Sequence, residues 1–268
     1  MNKPVGVSIV NEDNRRVVKG LGYYTPERVE DFRHLVKSSA QKYGSKIGFK
    51  FKDKKGNIIS KTYNEFDRDI DCLGTALFSL GLNGKHISII SENRYEWGVC
   101  YFSIVNGTGV AVPLDKYLPQ NEVENLINRG KVEAIFYSPA YQSMMKDIAR
   151  ANNRVKYYIC MEKLTSKEDD DRFLNVPDLI EKGAQLLKKG DKSFIEAPID
   201  PNKMSILLFT SGTTSISKGV MLSQRNITSN MESVSTVIKL QPNDVFLSLL
   251  PLHHTFENTI GLLYMIHK

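Results

Sequence analysis

The stretch Phe209-Thr210-Ser211-Gly212-Thr213-Thr214-Ser215-Ile216-Ser217-Lys218-Gly219 decides how the chain is read. It follows an apolar run over residues 204–209 and leads into Val220-Met221-Leu222, after which a helix-like segment begins. Glycine lets a backbone approach a ligand closely. Hydroxyls, backbone N–H groups and an ammonium can together surround phosphate oxygens. Composition alone equally allows a solvated Ser/Thr/Gly surface loop. Order separates the two readings: a strand-like run, a dense polar loop, lysine, glycine, then a second apolar run.

Outward from this loop, helical and strand-like segments alternate. That pattern argues an α/β fold of layered, largely parallel sheets with flanking helices. Val29, Phe32, Leu35, Val36 and Ala40 fall at helical spacing over 29–43. Residues 47–51 and 58–59, on either side of Gly56-Asn57, read as a hairpin. Next come helix 63–80 stopped at Gly81, strand 86–90, helix 94–105 and strand 110–112. Helix 119–129 stopped at Gly130, strand 134–137, helix 141–151 and strand 157–160 follow. Residues 162–172, with Asp169-Asp170-Asp171, read as an exposed charged loop, and 193–203 as a linker. Ligands of such βα units sit at strand C-terminal ends. The segments after Phe209 and after Leu250 both take that position, so 245–250 is expected to be a strand.

P-loop nucleotide hydrolases offer the nearest generic template, but their pattern needs Gly-Lys-Ser/Thr. Here Lys218 stands between Ser217 and Gly219, which disfavours a kinase-like NTPase. The set Thr210-Ser211-Gly212-Thr213-Thr214, then Lys218-Gly219-Val220-Met221-Leu222-Ser223 and Asn226, instead resembles the phosphate-loop signature of the adenylate-forming enzymes. These are the acyl-CoA synthetases, their luciferase relatives and the peptide-synthetase adenylation domains. The family pattern has Gly at the place of Ser215 and Pro at the place of Ser217. The first departure removes freedom for a positive φ, the second only a fixed φ. Leu249-Leu250-Pro251-Leu252-His253-His254-Thr255-Phe256-Glu257 resembles the family's Leu-Pro-Leu-x-His-x-Phe segment, with His254 at the motif histidine. Its form is similar to the long-chain acyl-CoA synthetases. Asn106-Gly107-Thr108-Gly109-Val110-Ala111-Val112-Pro113-Leu114-Asp115 and Thr62-Tyr63-Asn64-Glu65-Phe66 are similar to two further family segments, read here as scaffold. Thr62 can cap a helix with Glu65 as its capping-box partner.

The histidine pair does not read as a metal site. Adjacent side chains diverge, zinc wants three or four convergent ligands, and His34, His86 and His267 show no ligand spacing with the pair. Without the resemblance, His254 reads as a half-buried imidazole with a satisfied hydrogen bond.

What the resemblance implies is an incomplete large N-terminal domain of an acyl-CoA synthetase-like fold. Residues 1–268 would be a partial adenylation domain, with regions 1–203 and 204–268 and no C-terminal small domain. It implies ATP-dependent activation of a fatty acid to an acyl-adenylate, then to acyl-CoA, with ATP, Mg²⁺ and CoA. Thr210, Ser211, Gly212, Thr213, Thr214 and Lys218 would hold the phosphates, and Thr210 or Thr214 would help hold Mg²⁺. His254 and Lys218 would be catalytic, His254 beside the carboxylate and α-phosphate. Because the likeness spans about the first half of a family member, the polypeptide is expected to bind nucleotide at most. A non-catalytic nucleotide-binding fragment is the competing reading. Ile260, Leu262, Leu263, Tyr264 and Ile266 are then expected to be partly exposed, favouring aggregation or a homodimer.

Composition sets the remaining bounds. The chain has 268 residues, 41% hydrophobic and 25% charged, as expected of a globular protein. Cys72, Cys100 and Cys160 are scattered and odd in number, which suits buried free thiols in a reducing compartment. There is no signal-peptide pattern at Met1-Asn2-Lys3-Pro4 and no apolar run near the ~20 residues that span a bilayer. The expected location is cytoplasmic. The net charge of +6 is spread along the chain among 30 acidic residues, without an RNA-type aromatic-basic motif. Nucleic acid is therefore not an expected partner. Anionic nucleotides, CoA or loose contact with an acidic membrane face fit the charge.

Overall fold

The computed structural model describes residues 7–12, 15–20, 24–164, 170–210 and 217–268. In chain order, hairpin β1 (Val7–Glu12) and β2 (Arg15–Gly20) precedes helix α1 (Phe32–Tyr43). Hairpin β3 (Ile47–Lys52) and β4 (Ile58–Thr62) follows, then α2 (Tyr63–Ser79) and β5 (Lys85–Ile90). Helix α3 (Tyr95–Ser103) runs through a π-helical turn, Ile104–Thr108, into β6 (Gly109–Pro113). The chain continues through α4 (Gln120–Arg129), β7 (Val132–Tyr137), α5 (Gln142–Ala151), β8 (Tyr157–Cys160), β9 (Phe173–Asn175) and α6 (Val176–Lys188). Strands β10 (Met204–Thr210) and β11 (Lys218–Ser223) lead to α7 (Gln224–Ser235), and π-helical Glu257–Tyr264 runs into Met265–His267.

Seven strands form one sheet in the order β11-β10-β6-β5-β7-β8-β9. Every pairing in it is parallel except β10 with β11. The expected α/β fold with a largely parallel sheet is therefore what the chain adopts. Side chains alternate across such a sheet, and both faces are covered. Ile87, Ile89, Ala111 and Phe136 pack with Phe32, Phe66, Tyr101, Leu179 and Met231, from α1, α2, α3, α6 and α7. Ile90, Val112, Ile135 and Tyr137 face Val123, Ile127, Met145 and Ile148, from α4 and α5.

Local sequence explains several boundaries. Thr62 Oγ1 accepts from the Glu65 amide at 3.1 Å while the Thr62 amide donates to Glu65 Oε2 at 2.8 Å, so α2 starts on the expected capping box. The β3–β4 turn is closed by the Asp53 carboxylate, which accepts from the Lys55 and Asn57 amides at 2.8 Å each, with Gly56 at φ +83. Helix α1 begins later than expected, at Phe32 and not Val29. Asp31 caps it, its Oδ1 accepting the His34 amide at 2.7 Å.

Two expectations fail. Residues 245–250 form no strand: Val245, Leu247 and Leu249 are 94%, 72% and 76% exposed, and no ladder partner stands beside them among the described residues. An apolar run becomes a strand only when another strand satisfies its backbone groups. Conversely, the last helical segment is not an exposed edge. Leu262, Leu263, Tyr264 and Ile266 are buried and only Ile260 is half-buried, because this segment packs on α1 and α7 within the main core. Tyr264 also donates its hydroxyl to the Ile238 carbonyl at 2.7 Å.

Candidate active site

The parallel register of β10, β6 and β5 brings their C-terminal ends to one edge of the sheet. Thr210 ends β10 there. Lys218 opens β11 directly opposite it, as its cross-strand partner. Both side chains are exposed, and no carboxylate pairs with Lys218 among the described residues. Ser211, Gly212, Thr213 and Thr214 lie outside the described residues. Helix α4 braces the foot of this hairpin. Arg129 donates to the Ser217 carbonyl at 2.6 Å and places its guanidinium 5.5 Å from the centre of the Phe209 ring, while Ser217 Oγ donates to Glu122 Oε1 at 3.3 Å.

The histidine turn arrives at the same edge. Asp115 follows β6, and its Oδ1 lies 3.7 Å from His253 Nε2. Burial holds the His253 pKa below its ordinary value; Asp115 opposes that, while His254 and Lys116 add to it. Asn93, just beyond β5, accepts the Leu252 amide through Oδ1 at 3.0 Å. The His254 amide donates to the Pro251 carbonyl at 2.9 Å, which closes the turn. His254 itself is exposed, not half-buried, and its Nδ1 accepts the Phe256 amide at 3.4 Å. With Nδ1 accepting, the neutral ring carries its proton on Nε2 and can donate from there.

The structure thus gathers Thr210, Lys218 and the His253-His254 turn at one sheet edge. Asn93 and Asp115 stand at the same strand ends as the histidine turn, while Arg129 and Glu122 of α4 hold the hairpin at Ser217; none of the four was singled out by sequence as a site residue. Asp115 and Pro113 belong to a segment read as scaffold. For Asn93 the available signal was an amide side chain placed just after a parallel strand. No group of three or more His, Cys, Asp or Glu side chains that could hold a metal ion occurs among the described residues. No helix among them is long and apolar enough to cross a membrane.

The profile of the AMP-binding enzyme family matches residues 36–268. The chain belongs to this family. Among curated relatives, fatty acyl-CoA synthetase B of Dictyostelium discoideum is 28% identical over 240 residues, covering 85% of this chain and 35% of that protein. Long-chain-fatty-acid–CoA ligase 5 of Rattus norvegicus is 28% identical over 230 residues, covering 74% of this chain and 31% of that protein. This AMP-binding family member therefore spans about a third of the length of these curated relatives. Solved structures agree on the fold. The red emitting luciferase of Phrixothrix hirtus has a TM-score of 0.74 at 18% identity, covering 92% of this chain and 46% of the luciferase. The anthranilate CoA ligase AuaEII, in complex with anthranoyl-AMP, has a TM-score of 0.73 at 17% identity, covering 91% of this chain and 44% of that one.

Proposed function

We propose that this chain forms the phosphate- and carboxylate-binding side of a site that activates a long-chain fatty acid with ATP. The observation that carries the reading is the pairing of Thr210 with Lys218 across the β10–β11 hairpin, at the sheet edge where the histidine turn arrives. A carboxylate oxygen attacks the α-phosphorus, the bond to the bridging oxygen breaks, and pyrophosphate leaves with that electron pair. CoA thiolate then displaces AMP from the acyl-adenylate. Neither step needs a protein nucleophile; positioning and charge neutralisation carry the rate. Thr210, with Ser211, Gly212, Thr213 and Thr214, binds the β- and γ-phosphates, and Lys218 supplies a compact positive charge. His254 donates from Nε2 to the carboxylate or to an α-phosphate oxygen.

Thr210 offers Mg²⁺ a hard hydroxyl oxygen, and Thr214 belongs to the same proposed set. With no carboxylate cluster among the described residues, the donor set fits an ion that rides on substrate phosphates. Bound there, Mg²⁺ would offset charge on the phosphate oxygens. The fatty-acid substrate is proposed from what the two curated relatives are named for. Residues 1–268 act in this reading as one N-terminal adenylation unit, with 204–268 contributing the hairpin and the histidine turn.

Two measurements test the proposal. Calorimetric titration with ATP and Mg²⁺ should show saturable binding to the folded chain, weakened about tenfold in Lys218→Ala, or ~1.4 kcal/mol. Fatty-acid-dependent exchange of pyrophosphate into ATP reports acyl-adenylate formation, in this chain or in a longer protein containing it. A folded chain that binds no ATP sinks the reading.

A further inference from the structure

One side chain ties the histidine turn to the sheet. We propose that Asn93 is the positioning residue for His254, an assignment that rests on the carboxylate-side role proposed for that histidine. Asn93 lies three residues beyond the end of β5. At this strand the sheet changes direction, since β6 lies on one side of β5 and β7 on the other. Ligand crevices of open α/β sheets form at the C-terminal ends of strands where the order reverses.

The carboxamide uses both of its ends. Nδ2 donates to the Leu250 carbonyl at 2.7 Å and to Ser248 Oγ at 3.0 Å, while Oδ1 accepts the Leu252 amide at 3.0 Å. Those contacts bracket Pro251 and lead straight into the turn that ends at His254. The Ser248 hydroxyl in turn donates to Glu257 Oε1 at 2.5 Å, and Glu257 is 1% exposed. A chain Asn93–Ser248–Glu257 thus fixes both the approach to the turn and the start of the helical segment after it. His253 with Asp115 adds a looser contact at 3.7 Å.

This tie matters because residues 245–250 have no strand ladder to hold them. An amide is the side chain the contacts require. Aspartate would keep the acceptor for the Leu252 amide but oppose its charge to the Leu250 carbonyl. Alanine would leave all three partners without a side chain. A displacement of about 1 Å at a reacting group can cost on the order of 10²-fold in rate. Asn93 therefore acts on the reaction through His254 and not by touching substrate.

The test uses the full chain labelled with ¹³C,¹⁵N-histidine, as wild type, Asn93→Ala and the near-isosteric Asn93→Asp. In both variants the His253 and His254 ring resonances should shift, while those of His34 and His86 stay in place. The Leu252 amide should exchange with deuterium at least tenfold faster, with protection of the β5 and β7 amides unchanged. In fatty-acid-dependent pyrophosphate exchange, Asn93→Ala should lower kcat about 10- to 100-fold with KM for ATP little altered. Added to His254→Ala, it should cost nothing more. Unmoved histidine resonances and unchanged Leu252 exchange would overturn the positioning role. Additive losses in the double variant would break its link to His254. A folded wild-type chain that binds no ATP would count against the proposed function, while the resonance and amide measurements still decide what Asn93 holds. Should Asn93→Ala fail to fold, Asn93→Asp carries the same comparison.

Discussion

Lys218 is exposed at the start of β11, so its ammonium contributes little to folding. Lys218→Ala is expected to change stability by about 0.5 kcal/mol or less, as at other surface sites, while weakening ATP binding. A large fall in melting temperature with unaltered ATP affinity would assign the residue to the scaffold. Arg129 behaves oppositely. Its guanidinium both donates to the Ser217 carbonyl and covers the Phe209 ring, joining α4 to the two strands of the hairpin. Arg129→Ala should lower stability by about 1 kcal/mol, from one hydrogen bond and one partly exposed cation–π contact. Arg129→Lys should recover only part of it, because lysine lacks the planar fork. Urea unfolding of the three proteins measures both differences. The hydroxyl that this chain carries at Ser217 is bound to Glu122. The departure from the family's proline thus has a local use here.

Between elements, the α2–α6 contact shows how a single atom can set a packing distance. Helix α6 brings Gly183 against the backbone of α2, where a Cβ built on it would overlap the Cys72 carbonyl oxygen. Backbone cannot move aside as a flexible side chain can. Gly183→Ala is therefore expected to destabilise the chain by about 3 kcal/mol, at the upper end of ordinary overpacking costs, read from the urea midpoint. An unchanged midpoint would mean that the helices separate freely, and that their contact adds little. The elements legible in the sequence were those specified by near neighbours. The Thr62–Glu65 capping box spans three residues, and the Asp53–Asn57 turn spans four. What sequence could not supply was long-range partnership. Residues 245–250 carry the apolar character of a strand, yet stranding needs a neighbour. Leu262, Leu263 and Ile266 look like an uncovered face until α1, more than two hundred residues earlier, is seen to cover it. The Asn93 clamp joins positions 155 to 159 apart, beyond any local pattern.

At the scale of the molecule, two properties follow from where groups finally lie. Val245, Leu247 and Leu249 stand out from the surface together, and exposed apolar groups of this kind favour association. Replacing Leu247 and Leu249 with glutamate should raise solubility and lower the sedimentation coefficient at high concentration. Equal behaviour of the two proteins would clear this segment of any part in association. The second property is acid sensitivity. His267 is 9% exposed, with Nε2 3.6 Å from Glu27 Oε2. Burial pushes its pKa down to about 4 from the ordinary 6.5; Lys268 adds to the shift and Glu27 opposes it. The imidazole stays neutral in the fold over a range where the unfolded chain has already bound a proton. Between about pH 6.5 and 4 the unfolded state therefore holds more protons, and stability falls as pH is lowered through that window. Below it this group adds no further slope. At ~1.4 kcal/mol per pH unit, the loss from His267 is at most about 3.5 kcal/mol. His253, shifted in the same direction by burial, adds to it with the same sign. Urea unfolding at pH 7, 5.5 and 4.5 should show a shallower pH slope in His267→Gln than in wild type, since the amide cannot titrate. Equal slopes in the two proteins would mean that the ring binds its proton alike in the folded and unfolded chain, so that burial does not shift it.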